Sequence, residues 1–286
     1  MFNGYPVIGI LAAYNNKIQK LKIDYSVVKW LKNEGCYIIY VSPLLDKNTI
    51  IDIFNNIDGL LIPGGEDDPD ITNRTYQCAK IIIDLAYKHG NFPIIGICMG
   101  LQYLLTYYSN DIWDNIKTYI KDYNQPNYLI SNNDLSHTIL HEISLDKLLN
   151  KNFFFNHNYS INIETYQSHP SLKEMFDVLT TTIYKNNTFL STIQGKTRPF
   201  FGLAWHPEKP NFEWVNHQKI IRTPESIVIG NNISKFFIEY CKLTNHTTDQ
   251  SILTQFDIEQ KSQYVFETAK PDDSEYDEPI LVYIIE

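Results

Sequence analysis

Short apolar runs alternate with segments of helical spacing over the first part of the chain. The runs carry no polar alternation, which is typical of strands that are covered on both faces of a sheet. They are Val7–Leu11, Tyr37–Pro43, Gly59–Gly65 and Phe92–Ile97. Helices are predicted around Val27–Leu31 and over Ile50–Phe54, Cys78–Lys88 and Leu101–Tyr108. This order predicts an α/β fold, a doubly wound and mostly parallel sheet with helices on both faces.

Charge divides the 286-residue chain into two unequal parts. Residues 244–286 carry −8 of the net charge of −9, so we predict a globular catalytic domain over 1–243 and an acidic C-terminal tail over 244–286. Such a tail is by default solvated and poorly ordered. Two apolar pieces, Tyr264–Phe266 and Ile280–Ile285, flank its acidic core. We therefore expect the last residues to pair with an exposed sheet edge or to cover an apolar surface.

Composition argues against several classes of protein. No apolar stretch approaches the roughly 20 residues that a membrane-spanning helix needs. The first residues lack the pattern of a signal peptide, so we expect a cytoplasmic protein. Three arginines in a nearly neutral body argue against a nucleic-acid partner. The four cysteines include no C-x-x-C pair, so no metal site is expected. The oligomeric state stays open, with a homodimer as one option.

The segment Gly96–Gly100 reads G-I-C-M-G and joins a predicted strand to a predicted helix. A cysteine at the third position of such a turn has the layout of a nucleophile elbow, with sulfur in place of the serine oxygen. Small neighbours let the backbone pass closely, and the N-terminus of the following helix stabilises a thiolate. A core cysteine in a glycine-containing loop is the competing interpretation. The position between a strand and a helix favours Cys98 as a nucleophile.

A second motif, W-H-P-E, follows a predicted strand that begins near Arg198. A histidine at that strand end, His206, can exchange protons with a thiol and later with a leaving amine. Glu208 can accept a hydrogen bond from the other ring nitrogen and orient the imidazole. An unreactive loop histidine is the competing interpretation. Because the two motifs occur together, we favour a triad of Cys98, His206 and Glu208.

Three motifs together carry a family resemblance. P-G-G after the third strand, G-I-C-M-G and W-H-P-E resemble the class I glutamine amidotransferase-like superfamily. Within it, the chain resembles the folate γ-glutamyl hydrolases in particular, through W-H-P-E-K-P-N-F-E-W, the segment Asp177–Gly195 and F-N-H-N-Y-S-I at Phe155–Ile161. The resemblance runs from about Pro6 to Leu243.

The resemblance implies roles for further residues. The backbone N–H groups of Met99 and Gly65 would form an oxyanion hole, which accounts for P-G-G because glycine lets an N–H group turn toward the substrate oxygen. An ordinary turn after a strand is the alternative for that glycine pair. His157 matches a histidine that lines the substrate cleft in the family, with a plain cleft wall as the alternative. We interpret Phe212–Trp214 mainly as packing residues.

The γ-glutamyl group implied by this resemblance presents a free carboxylate, and a guanidinium binds a carboxylate best. The chain has only Arg74, Arg198 and Arg222. Arg74 follows the P-G-G turn and Arg222 follows W-H-P-E, whereas Arg198 precedes a strand. We favour Arg74 as the substrate ligand, with Arg222 or Lys209 as alternatives. A solvated surface arginine is the default for any one of them.

The resemblance and the motifs predict a cysteine-dependent hydrolase without a cofactor. Its substrate would be a small molecule with γ-glutamyl amide bonds, a folyl or other poly-γ-glutamate, cleaved through a Cys98 thioester in an omega-peptidase reaction. One alternative is a glutaminase subunit, which would need a synthase partner to use the ammonia, or a hydrolase of another small γ-glutamyl compound. A non-catalytic binding relative is a second alternative, and the presence of Cys98, His206 and Glu208 argues against it.

Overall fold

The computed structural model of the chain describes residues 1–15, 19–65, 70–112, 120–130, 135–213, 219–267 and 280–285. The strands in these ranges are β1 (Val7–Leu11), β2 (Ala13–Asn15), β3 (Lys20–Asp24), β4 (Tyr37–Val41), β5 (Gly59–Ile62), β6 (Ile94–Ile97), β7 (Ile120–Gln125), β8 (Tyr128–Leu129), β9 (Phe153–His157), β10 (Phe176–Tyr184), β11 (Asn187–Gly195), β12 (Phe200–Leu203), β13 (Ser262–Glu267) and β14 (Ile280–Ile285). The helices are α1 (Tyr25–Lys32), α2 (Lys47–Phe54), α3 (Arg74–His89), α4 (Met99–Tyr108), α5 (Leu145–Leu148), α6 (Ile163–Ser168), α7 (Pro170–Met175), α8 (Lys209–Phe212), α9 (Pro224–Cys241), α10 (Gln250–Phe256) and α11 (Ile258–Lys261).

An eight-stranded sheet forms the centre of the structure, in the order β4-β1-β5-β6-β12-β11-β10-β8. Its first five strands run parallel to one another, and β11, β10 and β8 continue the sheet in antiparallel pairs. Every residue of β1, β5, β6 and β12 is buried. The predicted α/β fold with a mostly parallel sheet is therefore confirmed.

Local signals account for the helices that flank the parallel strands. The side chain of Asp46 accepts hydrogen bonds from the first backbone N–H groups of α2, and Asn73 does the same for α3. Gly90 is the C-cap of α3. Its φ is 92°, a backbone conformation that glycine adopts without steric strain. Helices α3 and α4 begin earlier than their apolar spacing predicts, because these first turns are set by capping and by the elbow rather than by periodicity.

The antiparallel half of the sheet comes from the second half of the chain. Strands β10 and β11 form a long hairpin through Lys185 and Asn186, which both have positive φ, as a tight two-residue turn requires. The described residues also form two smaller sheets, β13-β14-β3-β2 and β7-β9. Strand β9 crosses the end of β12 through a bridge between Phe155 and Trp205. This crossing places β9 above the carboxyl ends of the parallel strands.

The C-terminal segment packs on the body of the protein. Leu253, Phe256 and Ile258 are buried, and the ring of Phe256 lies edge-on to Tyr40 of β4 at 5.5 Å between centroids. A default of a solvated tail is thus wrong for residues 250–261, where buried apolar side chains recur at helical spacing between the charges. The expectation that the last residues pair with a sheet edge is confirmed, because β14 pairs with β3. The acidic core predicted as a loop lies outside the described residues.

In the described ranges, no helix combines the length and the apolar character that crossing a bilayer requires.

Replacing Tyr283 with alanine tests the contribution of β14 to stability. Tyr283 is fully buried and stacks on Tyr25, with ring centroids 5.9 Å apart. Loss of such a buried aromatic side chain should lower the free energy of unfolding by about 3–5 kcal/mol. Urea unfolding measures the change, and Val265→Ala on the neighbouring strand, where the side chain is exposed, is the matched control. Equal unfolding midpoints for Tyr283→Ala and the wild type would show that β14 does not stabilise the fold.

Candidate active site

Cys98 stands at the turn between β6 and α4. Its backbone has φ 54° and ψ −103°, a conformation that residues with a β-carbon rarely adopt. A β-carbon at Gly96 would collide with the backbone of Gly100, and one at Gly100 would collide with the carbonyl oxygen of Ile62. The two glycines of G-I-C-M-G therefore let β5, β6 and α4 approach closely around a sharp turn, which is the backbone geometry of a nucleophile elbow.

Strand β12 delivers His206 beside this turn. Strands β6 and β12 pair in parallel, and the Cys98 backbone N–H donates to the Leu203 carbonyl at 2.7 Å. The backbone N–H of His206 donates in turn to the Phe154 carbonyl of β9 at 2.9 Å. The backbone of Pro207 lies so close to Gly230 of α9 that a β-carbon there would collide with it. The W-H-P-E turn is thus held from both sides.

Glu208 orients the imidazole of His206. The distance between Nδ1 of His206 and Oε1 of Glu208 is 2.8 Å, and both side chains are buried. Burial alone would lower the pKa of His206, but the charge of Glu208 and the hydrogen bonds to Cys98 and Glu208 outweigh burial and raise it from 6.5 to about 10. His206 therefore holds a proton at neutral pH and can stabilise a thiolate on Cys98.

The side chain of Cys98 faces β9. Its Sγ lies 3.4 Å from the carbonyl oxygen of Asn156, and it shares a hydrogen bond with His206. The structure therefore brings Cys98, His206 and Glu208 together, although more than a hundred residues separate the cysteine from the histidine in sequence.

The P-G-G turn after β5 passes directly over this pair. A β-carbon at Gly64 would lie 3.0 Å from Cε1 of His206 and 3.4 Å from Cβ of Cys98. A β-carbon at Gly65 would lie 2.6 Å from Cε of Met99. Met99 is the first residue of α4, so its N–H group has no partner within that helix. The two residues expected to form the oxyanion hole are therefore neighbours, and their roles stay a prediction.

His157, at the end of β9, is a neutral neighbour of His206. Burial and the positive charge of His206 lower the pKa of His157 to about 3, and its Nε2 pairs with the Ser160 hydroxyl. A small cavity adjoins Cys98 here. Its lining includes His157, Ser160, Gln102, Leu101 and Ile161. His157 therefore lines a small cavity beside Cys98, and its place in the wall of a substrate cleft stays a prediction.

The cationic side chains considered as carboxylate ligands differ in their surroundings. Arg74 is exposed at the first position of α3, and its proposed contact with substrate stays a prediction. Arg222 donates to the backbone carbonyls of Glu213 and Ile220. Arg198 donates to the Tyr87 carbonyl and stacks on that ring. Lys209 is buried and paired with Glu213, so it is wrong as an alternative ligand for substrate.

Some features of the site carry no local sequence signal. The Asn156 carbonyl and the Ser160 hydroxyl reach the site because β9 crosses β12, and that pairing is set by tertiary structure. The ion pair of Lys209 and Glu213 could have been predicted from the sequence, because the two residues have the i, i+4 spacing of a helical ion pair in W-H-P-E-K-P-N-F-E. Trp214 lies outside the described residues.

The described residues contain no group of three or more His, Cys, Asp or Glu side chains that could hold a metal ion.

Comparisons with known proteins identify the family of the chain and its relatives. The family described as "Glutamine amidotransferase class-I" matches residues 20–214. Gamma-glutamyl hydrolase of Rattus norvegicus is 29% identical over 255 residues, which cover 84% of this chain and 79% of the relative. Gamma-glutamyl hydrolase B of Dictyostelium discoideum is 27% identical, covering 88% and 76%. Gamma-glutamyl hydrolase 1 of Arabidopsis thaliana is 26% identical, covering 92% and 79%.

A solved structure supports the fold alone. A protein from Thermoplasma acidophilum, described as part of a GMP synthase, aligns with a TM-score of 0.51 and 17% identity. The alignment covers 83% of this chain and 94% of that protein.

Iodoacetamide should modify Cys98 before the other three cysteines at neutral pH. Burial raises the pKa of Cys36 and Cys78 to about 12 and that of Cys241 well above its usual value. Those thiols stay protonated, whereas Cys98 lies beside the imidazole of His206, whose pKa is raised to about 10. Peptide mass mapping over a time course measures the order. A time course in which Cys98 is among the slowest thiols would contradict its assignment as a nucleophile.

Proposed function

The chain belongs to the class-I glutamine amidotransferase family, and on that basis we propose that it is a cysteine-dependent hydrolase of γ-glutamyl amide bonds. The observation that carries the proposal is the Cys98–His206–Glu208 constellation at the elbow between β6 and α4. The relatives that match more than four-fifths of the chain support the bond type, since they are named γ-glutamyl hydrolases.

The first half of the proposed reaction forms a thioester. The Cys98 thiolate attacks the γ-carbonyl carbon of the substrate, and the carbonyl oxygen becomes an oxyanion. The N–H groups of Met99 and Gly65 stabilise that oxyanion. His206 then gives its proton to the leaving amine, the carbon–nitrogen bond breaks, and a γ-glutamyl thioester on Cys98 remains.

The second half releases the acid. His206 is now neutral and takes a proton from a water molecule, which attacks the thioester carbonyl. The carbon–sulfur bond breaks, the γ-glutamyl acid leaves, and the thiolate of Cys98 faces the imidazolium of His206 again. Glu208 stabilises the imidazolium in both halves, because its carboxylate accepts the hydrogen bond from Nδ1.

Poly-γ-glutamates, including folyl forms, are the substrate class that we propose. They contain the γ-glutamyl amide bond that this reaction needs, and the proposed ligand for the substrate's free carboxylate is Arg74. The alternative within the family is a glutaminase, which the fold of the Thermoplasma acidophilum protein allows but does not favour at 17% identity.

Product analysis distinguishes these activities. The purified protein is incubated with a folyl poly-γ-glutamate of defined length, a γ-glutamyl dipeptide and glutamine. The proposal expects shorter γ-linked products and free glutamate from the first substrate. An α-linked polyglutamate of equal length is the matched control and should stay intact. Ammonia release from glutamine without cleavage of the γ-linked polymer would instead indicate a glutaminase, and no product from any substrate would indicate a binding relative.

Substitutions in the constellation should separate the roles of its members. Cys98→Ala and His206→Asn should each lower kcat by more than about a thousandfold, since members of such a unit fail together. Glu208→Gln should cost less, because it preserves shape and loses only the charge that supports the imidazolium. Steady-state kinetics on the polyglutamate measures the losses, and circular dichroism verifies folding. Turnover near the wild-type level in His206→Asn would remove His206 from the mechanism.

A further inference from the structure

Strand β3 carries charged side chains on one face and apolar side chains on the other. Its five residues read K-L-K-I-D, and Leu21 and Ile23 are buried in the core whereas Lys20, Lys22 and Asp24 are partly exposed. Successive side chains of a strand point to opposite faces. Lys20 and Lys22 therefore share the face of β3 that is turned away from the core. Because the whole chain has a net charge of −9, an anion would be attracted by such local cations and not by the protein as a whole.

The topology places β3 at the same edge of the central sheet as the candidate active site. Strand β2 begins two residues after β1 ends, and β3 returns antiparallel to β2. The β2–β3 hairpin thus extends from the carboxyl end of β1. Cys98 and His206 follow the carboxyl ends of β6 and β12, which run parallel to β1 through β5. Parallel strands end at one edge of a sheet, so the hairpin and the site share that edge.

Helix α1 connects β3 to the W-H-P-E turn. It begins directly after β3, and the Ser26 hydroxyl in its first turn donates to Oε2 of Glu213 at 3.4 Å. Nε1 of Trp30 donates to the backbone carbonyl of Gly230 at 2.9 Å. Gly230 in turn lies against the backbone of Pro207. The helix that continues β3 therefore packs on the segment that contains the W-H-P-E turn.

The two lysines lie within reach of a polymer that is bound at Cys98. Lys22 precedes Ser26 by four residues, and a strand advances about 3.3 Å per residue, so Lys22 lies at most roughly 13 Å from the first turn of α1. An extended α-linked chain spans about 3.5 Å per residue. A γ-linked residue contributes more bonds to the polymer backbone and spans more. A few residues beyond the scissile bond therefore cover this distance.

A poly-γ-glutamate needs several cations, because every residue carries a free α-carboxylate. Arg198 and Arg222 donate to backbone carbonyls, and Lys209 is paired with Glu213. Arg74 is the ligand that we propose for the γ-glutamyl group at the scissile bond. The carboxylates farther along the polymer require other cations near the same edge of the sheet.

We propose that Lys20 and Lys22 form a cationic strip on β3 that binds the α-carboxylates of the polymer beyond the scissile bond. The strip determines a preference for long γ-linked substrates and takes no part in bond cleavage. It rests on the proposed function, because its occupant is the substrate of that reaction. A solvated face, on which the lysines only keep the protein soluble, is the competing explanation.

Substrate length separates the two explanations. Lys20→Gln and Lys22→Gln are compared with the wild type on γ-linked polymers of increasing length. Each should raise KM for a long polymer about twofold to fivefold, and the double variant about tenfold, with little change in kcat. KM for a γ-glutamyl dipeptide should not change, since a dipeptide does not reach the strip. Equal changes in KM for the dipeptide and the long polymer, or no change for either, would overturn the proposal.

A binding measurement tests the strip independently of turnover. Cys98→Ala is titrated with a fluorescent poly-γ-glutamate, and anisotropy gives Kd with and without the two lysine substitutions. Kd should rise about tenfold in the double lysine variant at low salt, and the difference should vanish at about 1 M salt, where charges are screened beyond about 3 Å. Kd independent of the lysines overturns the strip, even if the wild type cleaves the polymer. Lysine-dependent binding without cleavage by the wild type supports the strip and contradicts the proposed reaction.

Lys88→Gln is the matched control. Lys88 is exposed in the last turn of α3, shortly before β6 begins, and therefore lies toward the opposite edge of the sheet from Cys98. This substitution removes the same charge and should leave KM and Kd unchanged, while circular dichroism verifies the folding of every variant. A rise in Kd for Lys88→Gln equal to that for Lys20→Gln or Lys22→Gln would show that only net charge matters and would contradict the strip.

Discussion

The left-handed backbone of Cys98 is the constraint on which the site depends. A residue with a β-carbon is strained in that backbone conformation. The conformation is retained because the neighbouring backbones pack closely around the turn. Gly96 and Gly100 allow β5, β6 and α4 to come within contact of one another at this point. The turn places the sulfur against the Asn156 carbonyl of β9, makes Met99 the first residue of α4 and brings the glycines after β5 alongside. These three consequences have one cause.

Ionisable side chains of alternating charge follow one another along the W-H-P-E-K-P-N-F-E segment. His206, Glu208, Lys209 and Glu213 follow one another within eight residues, and all four are buried. A short segment of chain thus carries both the proposed catalytic base and the carboxylate that pairs with it. Burying a row of charges costs desolvation free energy, which only close pairing of opposite charges offsets. This cost is consistent with a segment whose charges serve chemistry more than stability.

The sequence allowed the parallel half of the fold and the core of the site to be predicted, because both are encoded locally. The strands β5, β6 and β12 are continuous apolar runs, and the motifs that follow them meet because parallel neighbours end at one edge. The contribution of β9 could not be predicted, since the approach of Asn156 to Cys98 depends on a crossing between distant segments. In the C-terminal segment, net charge obscured the helical spacing of Leu253 and Phe256.

The pairing of β14 with β3 has a consequence for how the protein acquires its structure during synthesis. The edge of β3 becomes available when the first part of the chain has emerged from the ribosome, whereas β14 emerges more than two hundred residues later. Contacts between such distant segments form slowly. Until β14 arrives, β3 presents unpaired backbone groups that could pair with another chain. A nascent or truncated chain of this protein is therefore expected to depend on chaperones more than the mature fold would suggest.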